Sequence, residues 1–213
     1  MKTSLKLIFA ISFIFVAVFS SNAQTPADVL KHGSDVTFFG VDFSSSKGVI
    51  LGASAEEMRD KYFPAINTLL VVEKDKYNIN KAFSKSDVTY FLSEVNKSNQ
   101  ALDVANFNVY SAKDIKSLDV DALTQMVQRY NLQDKNGIGL VFIAESLDKT
   151  ENLGVFHLVY FSMPEGKIIL TEKVSGKPKG FGMRNFWANC IYEILRSDIQ
   201  KNLEKKYLPK KSK

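Results

Sequence analysis

Catalysis and metal binding need converging nucleophiles, bases, carboxylates or soft ligands, and this sequence is sparing with them. It has one cysteine, Cys190, and two histidines, His32 and His157. A metal centre built on nitrogen and sulfur needs three or four such ligands. No HExxH, CxxC or EF-hand pattern is present. Glu145, Asp148 and Glu151 are expected on a loop between two strands. They could hold calcium, but their spacing matches no calcium loop, so a solvated hairpin tip is the expectation.

Serine hydrolysis needs a nucleophile, a base and an orienting acid. Gly52-Ala53-Ser54-Ala55-Glu56 resembles half of a nucleophile elbow but lacks the second glycine. Ser54 stands three residues before Glu57 and is better read as a helix cap. A cysteine protease would pair Cys190 with His157. Cys190 lies on the apolar stripe of a helix and reads as a small buried hydrophobe. His157 shares a strand face with Val155, Val159 and Phe161, which reads as a core histidine with one satisfied hydrogen bond. No catalytic residue, metal or cofactor is expected.

The stretch suited to binding is Ser175 to Asn185. Gly176, Gly180 and Gly182 are interleaved there with Lys177, Lys179 and Arg184, between a strand and a helix start. Free amides at a helix start attract anions. The GxxxxGK[ST] and GxGxxG spacings are both absent. The alternative is a flexible connection whose glycines relieve close packing. A second candidate surface is the carboxyl end, where Lys201, Lys205, Lys206, Lys210, Lys211 and Lys213 crowd together. It reads as a solvated, fraying tail. The functional alternative is attraction to an anionic envelope surface or an acidic partner.

Elements must position these residues. Val36 to Phe43 (VTFFGVDF) reads as a strand. A helix follows Ser54, interrupted or restarted at Pro64. Val88, Phe91, Leu92 and Val95 have helical spacing, capped by Ser86 or Asp87. Phe107 to Tyr110 reads as a short strand, and a helix follows Asp119. Ile138 to Ala144, Gly154 to Ser162 and Lys167 to Val174 read as a three-strand antiparallel meander. The turn Met163-Pro164-Glu165-Gly166 joins the last two. Met183, Trp187, Cys190, Ile191, Ile194 and Leu195, extended by Ile199 and Leu203, make the stripe of one long closing helix. The 16 Phe and 8 Tyr fit these elements as core. The expected fold is a single α/β (α+β) domain: a mixed sheet ending in the meander, with helices packed on it and a long C-terminal helix.

The amino terminus reads as a secretory signal peptide over 1–23. Lys2 and Lys6 precede an apolar run from Leu7 to Phe19, and Ser21 and Ala23 suit cleavage before Gln24. The run is short for a spanning helix, and no cysteine stands at the cut to carry a lipid. The alternative is an uncleaved anchor. Segments 24–34 (leader), 35–207 (domain) and 208–213 (basic tail) follow. Loss of Lys2 and Lys6 lowers the formal charge from +5 to +3, which does not imply nucleic acid. One cysteine makes no internal disulfide, so packing alone must hold the exported chain.

This element order, with VTFFGVDF (36–43), HLVYFSMPEGKIILTEKV (157–174) and the helix from about Gly182, resembles envelope proteins of the CsgG, LpoB and TolB amino-terminal-domain type. The Asn-Ala-Gln cleavage region is similar to exported proteins of Bacteroidota. The resemblance implies a periplasmic or secreted adaptor, assembly factor or regulator with an envelope protein partner. The alternatives are a binding module for a small anion or glycan at the 176–185 loop, and third a hydrolase.

Overall fold

A computed structural model of the chain describes residues 24–163 and 165–209. The expected signal peptide (1–23), Pro164 and the end of the basic tail (210–213) lie outside the described residues. In chain order the elements are α1 (Pro26–Leu30), β1 (Val36–Asp42), β2 (Lys47–Val49), α2 (Ala55–Glu57), α3 (Phe63–Val72), α4 (Ile79–Ala82), β3 (Val88–Tyr90), α5 (Ser93–Gln100), β4 (Asn108–Val109), α6 (Val120–Val127), β5 (Gly137–Asp148), β6 (Leu153–Met163), β7 (Lys167–Gly176), α7 (Met183–Arg196) and α8 (Ile199–Tyr207). A π-helical stretch, Met58–Tyr62, joins α2 to α3, and Pro64 sits in the first turn of α3. No helix among the described residues is long and apolar enough to cross a membrane.

The fold is mixed α/β, and among the described residues seven strands form one sheet. The spine is β5, 12 residues long. Along one side of it β1 and β2 lie end to end, both parallel to it. Thr37 faces Gly139 and Asp42 faces Ile143; then Lys47 faces Ser146 and Val49 faces Asp148. Beyond β1 lies β3, and beyond β2 lies β4, again parallel. On the other side of β5, β6 is antiparallel to it and β7 is antiparallel to β6. A sheet conceived as ending in a meander therefore misses the larger organisation: β1 to β5 are held to one another by parallel pairings. Parallel partners are far apart in sequence and share no turn, so no local signal announces them.

Each face of the sheet carries its own core. On one, Phe38, Val41, Leu140, Phe142 and Leu158 pack with α3, α7 and α8. On the other, Phe39, Val141, Ile143, Val159 and Phe161 pack with Leu123, Met126 and Val127 of α6. The chain reaches β3 from β1 past α3, and reaches β5 from β3 past α6. The order β3-β1-β5 with helices on opposite faces makes the boundary of β1 and β5 a topological switch point, where open α/β sheets offer a crevice beyond the strand ends.

Two asparagines finish the edge of β1 where β3 stops. Val41 N–H donates to Asn67 Oδ1 (2.8 Å), and Asn67 Nδ2 returns a bond to Val41 O (3.0 Å). Phe43 N–H donates to Asn99 Oδ1 (2.6 Å), and Asn99 Nδ2 also reaches Val41 O (3.2 Å). Buried backbone groups must be paired, and these amides act as a substitute strand. They also explain Gly40, where a Cβ would lie 2.7 Å from Asn67 Oδ1.

Four local expectations need correction. Val88–Tyr90 is a strand beside β1, and helix α5 begins only at Ser93; β-branched Val88 and Thr89 suit a pairing that overrides a coincidental helical spacing. The segment read as a leader contains α1, whose Val29 and Leu30 are in the core. The strand expected over Phe107 to Tyr110 is only Asn108–Val109. The single closing helix is two, broken at Asp198, whose φ of 53° is left-handed. The break turns α8 so that Gln200 Nε2 donates to Leu30 O (2.8 Å) and Ile199 and Leu203 stay buried.

Candidate functional site

The 176–185 segment divides into a buried part and a presented part. Gly176 closes β7 under α7; a Cβ there would stand 2.1 Å from Cys190 O. It is a packing glycine and belongs to the core contact rather than to a surface. Opposite it in the sheet, a Cβ built on Gly154 would stand 2.8 Å from the Sγ of the same residue. Gly176 fits the reading of a glycine that relieves close packing, and beyond it the chain is braced on α7. Asn189 Nδ2 donates to Lys177 O (2.9 Å), Lys179 N–H to Phe186 O (3.2 Å) and Asn185 Nδ2 to Phe181 O (3.2 Å). Pro178 is buried while Lys177, Lys179 and Arg184 are exposed. Gly180 (φ 117°) and Gly182 (φ 79°) adopt backbone that L side chains rarely enter. Between them Phe181 is 96% exposed. Its exposure is a property of this loop that sequence reading left out, and its position between two glycines was the available signal.

The basic end is partly engaged. Lys206 Nζ lies 2.6 Å from Glu172 Oε2, and Tyr207 OH donates to Thr171 O (2.8 Å), so α8 is pinned to β7. Lys205 is exposed. Lys210 and Lys211 lie outside the described residues.

At the switch point the sheet carries a polar row. Asp42, Ile143, His157 and Lys173 are successive cross-strand neighbours, so their side chains share the α6 face. A bulge between Ala144 and Ser146 brings Glu145 onto this face. Its carboxylate is a hub. Oε2 accepts from His157 Nε2 (2.8 Å), Ser117 Oγ (2.8 Å) and Leu118 N–H (3.0 Å), and Oε1 accepts from Lys173 Nζ (2.6 Å). Burial alone would raise its pKa, but the donors from His157, Lys173, Leu118 and Ser117 together outweigh burial and hold it down to about 2. Beside it burial pushes the Asp42 carboxyl up, against donors from Ser44 and Tyr130. The Tyr130 hydroxyl lies 2.7 Å from Asp42 Oδ2, and its own pKa is driven well up by burial and by that neighbouring carboxylate.

Ser117 and His157 bond the same carboxylate oxygen, so the histidine does not stand between serine and acid as a relay requires. A carboxylate ionised down to about pH 2 is no general acid near neutrality. What it does is tie the 115–119 segment to β5, β6 and β7. Glu145 and Asp148 are buried parts of β5, which corrects the loop placement. Asp148 Oδ1 accepts from Thr150 and Glu151 N–H (2.8 and 3.0 Å) and shapes the turn after it. No group of three His, Cys, Asp or Glu residues suited to a metal occurs among the described residues. Cys190 is buried against Gly154 and Gly176, and burial pushes its thiol up to about 12. Ser54 Oγ accepts from Glu57 N–H (3.1 Å), as a cap.

No protein-family model matches this chain, and no curated protein matches it.

Proposed function

We propose that this chain is a non-catalytic exported protein that works in the cell envelope through protein contacts, with residues 177–184 as its contact surface. Phe181 carries the reading. A phenylalanine 96% exposed on a braced loop leaves its apolar area in water, and such aromatic anchors serve as interface hot spots when a partner covers them. Lys177, Lys179 and Arg184 around it suit a partner that offers an apolar pocket with an acidic rim. The layout resemblance to envelope adaptors supports the same role, with β5, β6, β7 and the closing helices as the unit that presents the loop. The residues a hydrolase would have used are committed elsewhere: His157 to Glu145, and Cys190 to the packing under α7.

The test is crosslinked capture from the envelope of its own cell with residues 24–213, beside Phe181→Asp and a Lys210→Gln/Lys211→Gln variant. Truncation after Asn202 would remove buried Leu203 and confuse binding with stability. The expected result is a specific partner captured by the native chain and lost with Phe181→Asp, whose Tm is unchanged. Equal capture by Phe181→Asp would remove the loop from the interface. Loss confined to the lysine variant would move the contact to the tail.

A further inference from the structure

The amino end of α7 sets a sulfur atom between core and surface. Trp187 is 1% exposed, and its indole N–H donates to Met183 Sδ across 3.1 Å. No other acceptor meets this N–H among the described residues. A buried indole N–H needs a partner, and a thioether is a weak one. Met183 is the first residue of α7 and directly follows Gly182. One side chain therefore links the buried indole to the loop that presents Phe181. Exposure singles this sulfur out. Met58, Met126 and Met163 are 0, 2 and 5% exposed, and Cys190 is fully buried. Among the described residues Met183 is the one sulfur side chain that is only partly buried.

A partly exposed thioether is open to hydrogen peroxide. The Sδ lone pair attacks one peroxide oxygen, the O–O bond breaks, an S–O bond forms, and the other oxygen leaves as water after proton transfer. The sulfur is oxidised to the sulfoxide and the peroxide is reduced. The new oxygen does not fit the existing contact. A sulfoxide oxygen that accepts the Trp187 N–H needs about 2.9 Å for itself, whereas the sulfur already stands 3.1 Å from Nε1, so the sulfur must retreat. An oxygen turned to water instead draws the side chain off the core, because the sulfoxide is polar. Either movement acts on the first turn of α7. That turn carries the braces of the loop: Phe186 N–H donates to Gly182 O (2.9 Å), Lys179 N–H to Phe186 O (3.2 Å) and Asn185 Nδ2 to Phe181 O (3.2 Å).

We propose that Met183 is a reversible oxidation site and that its sulfoxide loosens the 177–184 loop. The oxidised chain then holds its partner less tightly, a consequence that rests on the reading of 177–184 as the contact surface. A methionine sulfoxide reductase restores the thioether: the oxygen leaves as water while two thiols join in a disulfide. The test treats residues 24–213 with hydrogen peroxide and follows peptide masses, the emission of Trp187, which is the sole tryptophan, and hydrogen exchange at the Lys179 and Phe186 amides. In the folded chain the Met183 peptide is expected to gain one oxygen at least about tenfold faster than the Met58, Met126 and Met163 peptides, and in urea all should react alike. The emission should change in step with that oxygen, and both amides should exchange about tenfold faster or more. Sulfoxide reductases with dithiothreitol should reverse both changes. Met183→Leu, a swap that keeps the volume, should abolish the response of emission and exchange to peroxide. Oxidation of Met183 no faster than of the buried methionines overturns the proposal. So does oxidation that leaves emission and exchange as they were, or a response that persists in Met183→Leu. These readouts need no partner, so equal capture by Phe181→Asp would remove the contact reading and leave the oxidation site standing.

Discussion

Replacing Glu145 by Gln keeps the shape of the hub and removes its charge. Lowering a carboxyl pKa from its ordinary 4.5 to about 2, at about 1.4 kcal/mol per pH unit, corresponds to about 3 kcal/mol of stability at neutral pH. The sign follows from the depressed folded value: the contribution is complete above pH 4.5 and disappears as pH falls through about 2. Glu145→Gln should therefore cost about 3 kcal/mol at pH 7, and for a chain of this length lower Tm by about 6–12 °C. Urea denaturation of both proteins at pH 7, 5, 4, 3 and 2.5 is the assay. The difference in unfolding free energy should hold steady from pH 7 to 5 and then shrink as the unfolded chain takes up a proton at Glu145 that the folded carboxylate still refuses. A gap that stays the same down to pH 2.5 would refute the charge argument and leave only a packing effect. A gap below about 1 kcal/mol at pH 7 would refute the hub itself.

Gly176→Ala forces a methyl to within 2.1 Å of the Cys190 carbonyl oxygen. It should cost about 2–3 kcal/mol by overpacking, seen as a Tm lower by about 5–10 °C; a shift under 2 °C would mean that α7 yields easily. Cys190, buried and with its thiol raised to about 12, should resist iodoacetamide in the native chain at pH 8 and react on addition of 8 M urea. Native labelling as fast as denatured labelling would contradict the burial.

The sequence was readable where structure is local. The apolar runs that became β5 and β6 announced themselves by composition, and Asp119 and Ser54 by their position before helices. Cys190 sat on the apolar stripe that the packed α7 buries. What escaped is what depends on distant partners. Nothing near Val88 says that β1 will lie beside it, so its helical spacing misled. Nothing near Asn67 or Asn99 says that each will finish the edge of β1. Glu145 sits next to apolar neighbours in IAESLD, and an acid there reads as a loop boundary until His157 and Lys173 are known to stand across the sheet. The break at Asp198 is equally silent, because the apolar stripe runs straight through it. Of the loop candidates, Lys177, Lys179, Gly180, Gly182 and Arg184 lie on one presented segment, whereas Gly176 is buried.

The position of β5 has a consequence for the order in which the chain can acquire structure. Every strand of the first half finds its place only against β5 or against a strand already resting on it. That strand begins at Gly137, about a hundred residues after β1. A ribosome releasing this chain from its amino end delivers β1, β2, β3 and β4 long before their template exists. The last third, by contrast, closes through neighbours joined by short turns. The long loops to be closed make the early strands slow to settle, and until β5 emerges their edges stand open to pairing with other chains. The pairings therefore predict that protection from hydrogen exchange during refolding arises in β5, β6 and β7 before β1 to β4, and simultaneous protection of both halves would contradict this order.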